Sequence, residues 1–332
     1  MPFAFIDENI MPKIPEYFDP ASAISKLWDA PLNQVAFTEH LSFIPEEIER
    51  HTIYSLVVMT LVFAYWNGNK RGSRDGVYLY RKQQRRNDGT YAGDDFGDRY
   101  FGHNIAAIAV DANGDIIDFE FNHNELFNSS VEHAEARLVH RLFKLNSVNQ
   151  SWDVTTLPTK YSTDLKSTII YTSLESCAQC SGIMNLARLD KVIYLQPDPG
   201  QFMIGQIIYK LSGSSPLHIP ANSFGFKYFE LLTEAYKNYL SVISESNPFF
   251  ISENGTRVDV GRAITSFLCT DFALDIYKKA ADELKAFSCL YGDYAPVNKV
   301  TNTSAKSNAQ VLNGAKVFVN YAVNIAQRGT PH

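Results

Sequence analysis

The sequence predicts an α/β fold, and three features carry that reading. Short apolar runs of strand length alternate with longer stretches whose apolar residues recur at helical spacing. Asn113-Gly114 stands between two apolar runs, the strongest short-range hairpin signal a sequence offers. Cys177 and Cys180 follow directly on a third apolar run, which puts a helix start at the end of a strand.

The elements follow in chain order. Residues 1–44 contain five prolines and little periodicity, and are expected to wrap on the body as an N-terminal extension. Pro45 with Glu46 and Glu47 marks a helix start, with proline in the first turn and acids at the positive end of the helix dipole. That helix is expected to run to about Trp66. Residues 56–66 are apolar apart from Thr60, too short for the ~20 residues a bilayer span needs, so a fully buried helix is expected there. Residues 67–103, rich in Gly, Arg and Asp, look like an insertion. Residues 105–110 and 116–121 form the hairpin around Asn113-Gly114. Val131, Ala134, Leu138, Leu142 and Leu145 predict a helix over 131–145. A strand at 168–174, a helix at 177–189 and a strand at 191–195 come next. Later helices are expected at 224–243, 264–287 and 307–327, with strand-like segments near 248–252 and 256–260. The expected organisation is a core over 45–287, interrupted by insertions at about 67–103 and 200–255. A C-terminal helical extension, 288–332, follows it.

Composition bounds the function. The chain has 332 residues, of which 45% are apolar and 20% charged, so it is globular and neither disordered nor fibrous. Thirty Lys and Arg against 36 Asp and Glu give a net charge of −6, which argues against a general binder of nucleic acid or anionic membrane. Four cysteines do not make a disulfide scaffold. The N-terminal stretch lacks a basic region and places acids and prolines where a signal peptide is apolar, so a cytoplasmic location without membrane attachment is expected.

The chemistry sits in two short segments. His133-Ala134-Glu135 opens one helix, and Cys177-Ala178-Gln179-Cys180 opens another 44 residues later. Two cysteines at i and i+3 on a first turn point their sulfurs to one side, and a helix N-terminus favours thiolate. With one imidazole they offer three ligands to zinc, and three protein ligands leave the fourth position open, the catalytic arrangement. A structural zinc would need a fourth ligand, for which His123 and His140 are candidates that no spacing recommends. A lone CxxC is weak, since helical thiols are often simply buried, and a lone helical His is more often a hydrogen-bonded core or surface residue. The combination HxE…CxxC at two helix starts is far more specific, and it is a known signature of zinc base deaminases. Cys269 and Cys289 have no such context and are read as buried free thiols.

On these residues the sequence resembles the cytidine deaminase superfamily, and within it the branch of tRNA adenosine and deoxycytidylate deaminases. The run Thr168-Ile-Ile-Tyr-Thr-Ser-Leu-Glu-Ser-Cys177 is similar to that branch's strand ending in T-L-E-P-C, and Gly182, Met184, Ala187-Arg188 and Val192-Ile193-Tyr194 continue the pattern. Arg257-Val258-Asp259-Val260 resembles the family's last strand more weakly. The resemblance implies a three-layer α/β/α fold with a mixed five-stranded sheet flanked by helices. It also implies Zn2+ on His133, Cys177 and Cys180, with Glu135 as the catalytic proton carrier. Asn122, 11 residues before His133, matches the family's ribose-binding asparagine, and the backbone N–H groups of Ala134 and Cys177 would face the base. The family's proline before the first cysteine is Ser176 here, and Ser176 with Gln179 predicts an S-x-x-Q capping box in its place. The loop 123–128 lacks the basic character of tRNA-acting members.

Bottom-up chemistry agrees with that assignment. Two thiolates cancel the charge of the ion, so such a zinc acidifies its water less than one held by three neutral imidazoles. A proton acceptor is then needed beside it, and Glu135 is the candidate. An acid at position 135 is also simply favoured by the helix dipole.

Three functions remain open at this point: a hydrolytic deaminase of adenine or cytosine in a polynucleotide, a deaminase of a free base, nucleoside or nucleotide, and a non-catalytic zinc-stabilised binding module. The intact Glu135 counts against the third. Residues 69–86 carry seven basic side chains against Asp75, a net +6, with Tyr78 and Tyr80 placed to stack on unpaired bases. Arg81, Lys82, Arg85 and Arg86 are therefore candidate contacts to RNA or single-stranded DNA. A solvated hairpin paired with the acids just downstream is the equal alternative. The family often forms homo-oligomers, and the terminal extensions could replace a partner subunit.

Overall fold

The computed structural model describes residues 30–31, 35–36, 41–66, 70–72, 78–80, 103–124, 129–143, 165–213, 215–242, 250–252, 257–258, 262–268 and 270–326. Arg81, Lys82, Arg85 and Arg86, and most of the N-terminal extension, lie outside the described residues.

Helix α1 spans Pro45–Ala64, ending two residues before the expected Trp66. Glu47 Oε2 accepts the N–H of Ile44 at 3.3 Å, so the acid of the first turn closes the helix start. Ile53, Leu56, Val57, Val58, Met59 and Leu61 are all buried, as the apolar second half of the helix requires. Strands β1 (Lys70–Gly72) and β2 (Tyr78–Tyr80) pair antiparallel. The predicted hairpin is present as β3 (Ala106–Val110) and β4 (Ile116–Phe121). In its loop Gly114 takes φ +90°, and Asp111 Oδ1 accepts the N–H groups of Asn113 and Asp115 at 2.9 and 2.8 Å.

Next come α2 (Ala134–Leu142), β5 (Ile169–Thr172), α3 (Ala178–Leu186), β6 (Lys191–Tyr194), α4 (Ile204–Ser212) and β7 (Leu217–Pro220). They are followed by α5 (Lys227–Val242), β8 (Phe250–Ser252), β9 (Arg257–Val258), α6 (Ile264–Phe267) and α7 (Asp271–Ala286). The chain ends in the short β10 (Val297–Asn298) and β11 (Thr303–Ser304) and in α8 (Asn308–Ala326).

The central sheet is mixed and five-stranded, in the order β4-β3-β5-β6-β7. Strand β3 runs antiparallel to both neighbours, and β5, β6 and β7 are parallel. Neighbouring residues of β5 show how the layers divide. Tyr171 OH meets Nδ1 of His51 on α1 at 2.7 Å, while Thr172 Oγ1 donates to Glu135 on α2. Alternation along one strand thus sends α1, with α7 and α8 packed on it, to one face of the sheet. Helix α2, with α3 beside it, covers the other.

Three expectations change. The fifth strand is Leu217–Pro220, inside the stretch read as an insertion, and not Arg257–Val260. Four residues ending in proline give almost no strand signal, and proline is accepted here because β7 is an edge. Arg257–Val258 instead pairs with β8 in a second sheet of order β1-β2-β8-β9. The helix expected over 264–287 is broken at Thr270, whose side chain accepts the N–H of Ala273 at 3.3 Å and caps α7.

Candidate metal centre

Both halves of the HxE…CxxC pattern sit at helix starts on one face of the sheet. His133 is the N-cap of α2 and Cys177 the N-cap of α3. Neither cap position makes a side-chain cap bond, which leaves imidazole and thiol free to face each other. His133 Nδ1 lies 3.3 Å from Cys177 Sγ and 3.6 Å from Cys180 Sγ. The ligand atoms of these three residues all lie within 4.8 Å of one another. Bonds of about 2.0–2.3 Å to a tetrahedral zinc separate nitrogen and sulfur ligands by about 3.5 Å, so the arrangement fits the ion. Among the described residues no fourth His, Cys, Asp or Glu joins the group. His123, one candidate for that place, is turned to the carbonyl of Phe121 at 2.9 Å.

Proton sharing within the group points the same way. The hydrogen bond from Cys180, followed by that from His133, pulls the Cys177 thiol down to about 4. The same bond and burial push Cys180 up, and the bond to Cys177 raises His133. Cys177 is therefore a thiolate without help, and a cation would replace the protons the three groups now share.

Glu135, on the first turn of α2, is 4% exposed. Burial raises its pKa, so the carboxyl holds a proton more firmly than an exposed glutamate. Two hydroxyls steady it: Ser176 Oγ donates to Oε1 at 2.9 Å, and Thr172 Oγ1 donates to the same oxygen at 3.1 Å. Neither engages Oε2. This overturns the capping-box reading of Ser176 and Gln179. The helix starts one residue later than that reading needs, so Ser176 turns to Glu135 and Gln179 Nε2 reaches the carbonyl of Val131 at 2.9 Å. Sequence reasoning missed Thr172, since hydroxyls also stand at Thr168, Tyr171 and Ser173 and nothing local marks this one.

A cavity of about 140 Å³ opens in front of these groups. His133, Cys177 and Glu135 line it, together with Asn122, Glu175 and Asp198. Asn122 reaches the centre by way of the helix start: its Oδ1 accepts the N–H of Ala134 at 2.8 Å, satisfying an otherwise orphan donor of α2. The backbone donor expected to face the base is thus taken up by Asn122, which leaves the Asn122 amide NH2 as the donor at the wall. Glu175 Oε2 accepts the N–H of Asp198 at 2.9 Å, and burial pushes Glu175 up to about 7. Among the described residues, no Lys or Arg lines this cavity.

Comparison with known proteins agrees with the site. Residues 95–196 match the family model of the cytidine and deoxycytidylate deaminase zinc-binding region, a span that contains Asn122, His133, Glu135, Cys177 and Cys180. No curated protein matches the chain. A solved structure, described as "Biochemical and Structural Studies of A-to-I Editing by tRNA:A34 Deaminases at the Wobble Position of Transfer RNA", is similar at 19% identity. It covers 36% of this chain and 82% of its own, with a TM-score of 0.26. Residues 95–196 are thus similar to the zinc-binding region of the cytidine and deoxycytidylate deaminases.

Proposed function

We propose that the protein is a zinc-dependent hydrolytic deaminase of an amino-bearing nucleobase, adenine or cytosine. One observation carries the proposal: a buried carboxyl group, Glu135, lines the same small cavity as His133 and Cys177, two of the three candidate zinc ligands. When bound, zinc supplies a Lewis acid that makes water a nucleophile near neutral pH. The remaining work falls to the chain. Glu135 takes a proton from that water at Oε2, the oxygen its two hydroxyl partners leave open, and hands it to the ring nitrogen of the base. After attack at the amino-bearing carbon, it carries the remaining proton of the added hydroxyl to the amine, which leaves as ammonia while the carbon–oxygen double bond forms. Ser176 and Thr172 hold Oε1 so that the other oxygen keeps its aim. Asn122 fixes the start of α2 and offers its amide to the substrate, in keeping with the family's ribose contact.

The cavity is far below the ~300–1,000 Å³ of drug-sized pockets, so it suits one planar ring with phosphates outside. Glu175 and Asp198 on its wall repel phosphate as well. A base presented by RNA or single-stranded nucleic acid is the favoured substrate, with the basic segment 69–86 as its track and Arg81, Lys82, Arg85 and Arg86 as contacts. The second reading, a free nucleoside, draws on a cavity lining that holds no Lys or Arg among the described residues.

The deciding experiment is an ammonia-release panel of nucleosides, nucleotides, single-stranded DNA and RNA, run with purified zinc-loaded protein. Release from one class, abolished in Glu135→Gln, is the expected result. A panel without release, or release untouched by that substitution, overturns the proposal.

A further inference from the structure

A second cavity, of about 210 Å³, lies at the opposite end of the sheet from the zinc centre. Cys177 follows the C-terminal end of β5, whereas this cavity sits where β5 and β6 begin, against the first half of α1 and the segment 294–299. Its lining includes Arg50, Lys191 and Lys299, with the rings of Tyr54 and Tyr171 beside them.

Arg50 is unusual. It is nine-tenths buried, yet among the described residues no carboxylate pairs with it. Its guanidinium Nη1 donates only to neutral oxygens, the carbonyl of Lys306 at 2.8 Å and Asn308 Oδ1 at 3.3 Å. Buried charges are ordinarily paired, because desolvation is costly unless an opposite charge offsets it. Among the described residues, no carboxylate forms an ion pair with Lys191 or Lys299, and Lys166 stands at the rim. The acids nearby are largely spent. Glu47 Oε2 accepts the N–H of Ile44, and Asp111 Oδ1 holds two backbone N–H groups of its own loop, which leaves Asp190. His51 adds no further positive charge: burial, then Lys191 and Arg50, hold it neutral.

We propose that this cavity is a binding site for a small phosphate-bearing molecule, with Arg50 as its buried counter-charge and Lys191 and Lys299 closing on the same group. Three cations of the lining have no ion-pair partner among the described residues, and phosphate offers an oxygen to each of them, which a carboxylate with two oxygens does not. A guanidinium suits its oxygens in geometry as well as charge. Tyr54 and Tyr171 offer a wall to a ring carried by a phosphate ester. The ligand would bridge α1 to the segment 294–299. The proposal is independent of the deaminase reading, because none of these residues lines the zinc cavity.

The test is calorimetric titration of the full-length, zinc-loaded protein with inorganic phosphate and, separately, with phenyl phosphate. Sodium chloride at matched ionic strength serves as the control. Saturable binding is expected, weakened at least ~10-fold in Lys191→Gln and further in Lys191→Gln/Lys299→Gln, as the loss of charge-assisted bonds implies. Lys237→Gln, on the exposed face of α5, should bind as wild type does. Tighter binding of phenyl phosphate identifies an ester as the ligand, and equal binding identifies free phosphate. Arg50→Met should abolish binding; if it does not fold, the lysine variants decide. No saturable binding above the chloride control overturns the proposal. So does an affinity unchanged in the double lysine variant, which would place the phosphate elsewhere, on the zinc included.

Discussion

Ser176 Oγ stands 2.9 Å from Oε1 of Glu135, so the residue just before the first cysteine ties the end of β5 to the first turn of α2. One hydroxyl thereby couples both halves of the metal-binding pattern to the one carboxylate between them. Thr172, on the last position of β5, makes the same bond from the sheet.

Removing either hydroxyl leaves a buried carboxylate with one donor fewer. Thr172→Val and Ser176→Ala should each lower stability by about 1.5–3 kcal/mol, the scale of a hydrogen bond to a charged group. Ser176→Thr, which keeps the donor, should recover most of the loss. Denaturant unfolding of the four proteins checks this; equal midpoints would show that the hydroxyls contribute nothing.

Elemental analysis should find one zinc per chain. Cys177→Ser and Cys180→Ser should each release it, and chelation should lower the unfolding temperature of the wild type, because the ion joins the starts of two helices. Metal-free protein that unfolds at an unchanged temperature would argue against that coupling.

Glu135→Gln should keep zinc and fold while lowering deamination by at least ~10²–10⁴, the usual contribution of a positioned acid–base group. Metal content and the unfolding curve separate this outcome from simple loss of structure.

His218, on β7, is fully buried, and burial lowers its pKa from 6.5 to about 4. The folded chain therefore keeps it neutral where the open chain protonates it. Stability from this residue is complete above pH 6.5 and is lost as pH falls towards 4, by roughly 3 kcal/mol in all. The stability gap between wild type and His218→Asn should shrink by that amount between pH 7 and 4. A gap that does not vary with pH would show that His218 charges as easily in the fold as in the open chain.

Gly114→Ala should destabilise the protein by about 1–3 kcal/mol. Gly114 has φ +90°, and an added Cβ would run into the guanidinium of Arg50 and the hydroxyl of Tyr54. Thermal unfolding measures the loss.

The sequence by itself determined the parts whose signals are local. Periodicity placed α1, α2, α3, α5 and α8 to within a few residues, and Asn113-Gly114 placed the hairpin, because helix caps, turn dipeptides and apolar spacing act over a few positions. The candidate zinc ligands were legible for the same reason: His133, Cys177 and Cys180 announce themselves by type and by position at helix starts. Contacts made across the chain were decided only by tertiary structure. The four residues of β7 became the fifth strand because a neighbour, β6, offered them an edge, and nothing in their own composition calls for it. Ser176 became a partner of Glu135 and not a cap, since packing brings α2 within 2.9 Å of it. Asn122 and Ala134, each expected to face the substrate, bond to each other. Arg50 lies at the start of a helix that the sequence foretold, but its burial without a carboxylate depends on where residues 294–308 return to cover α1. Burial and long-range pairing are properties of the packed chain, and no local pattern of residues encodes them.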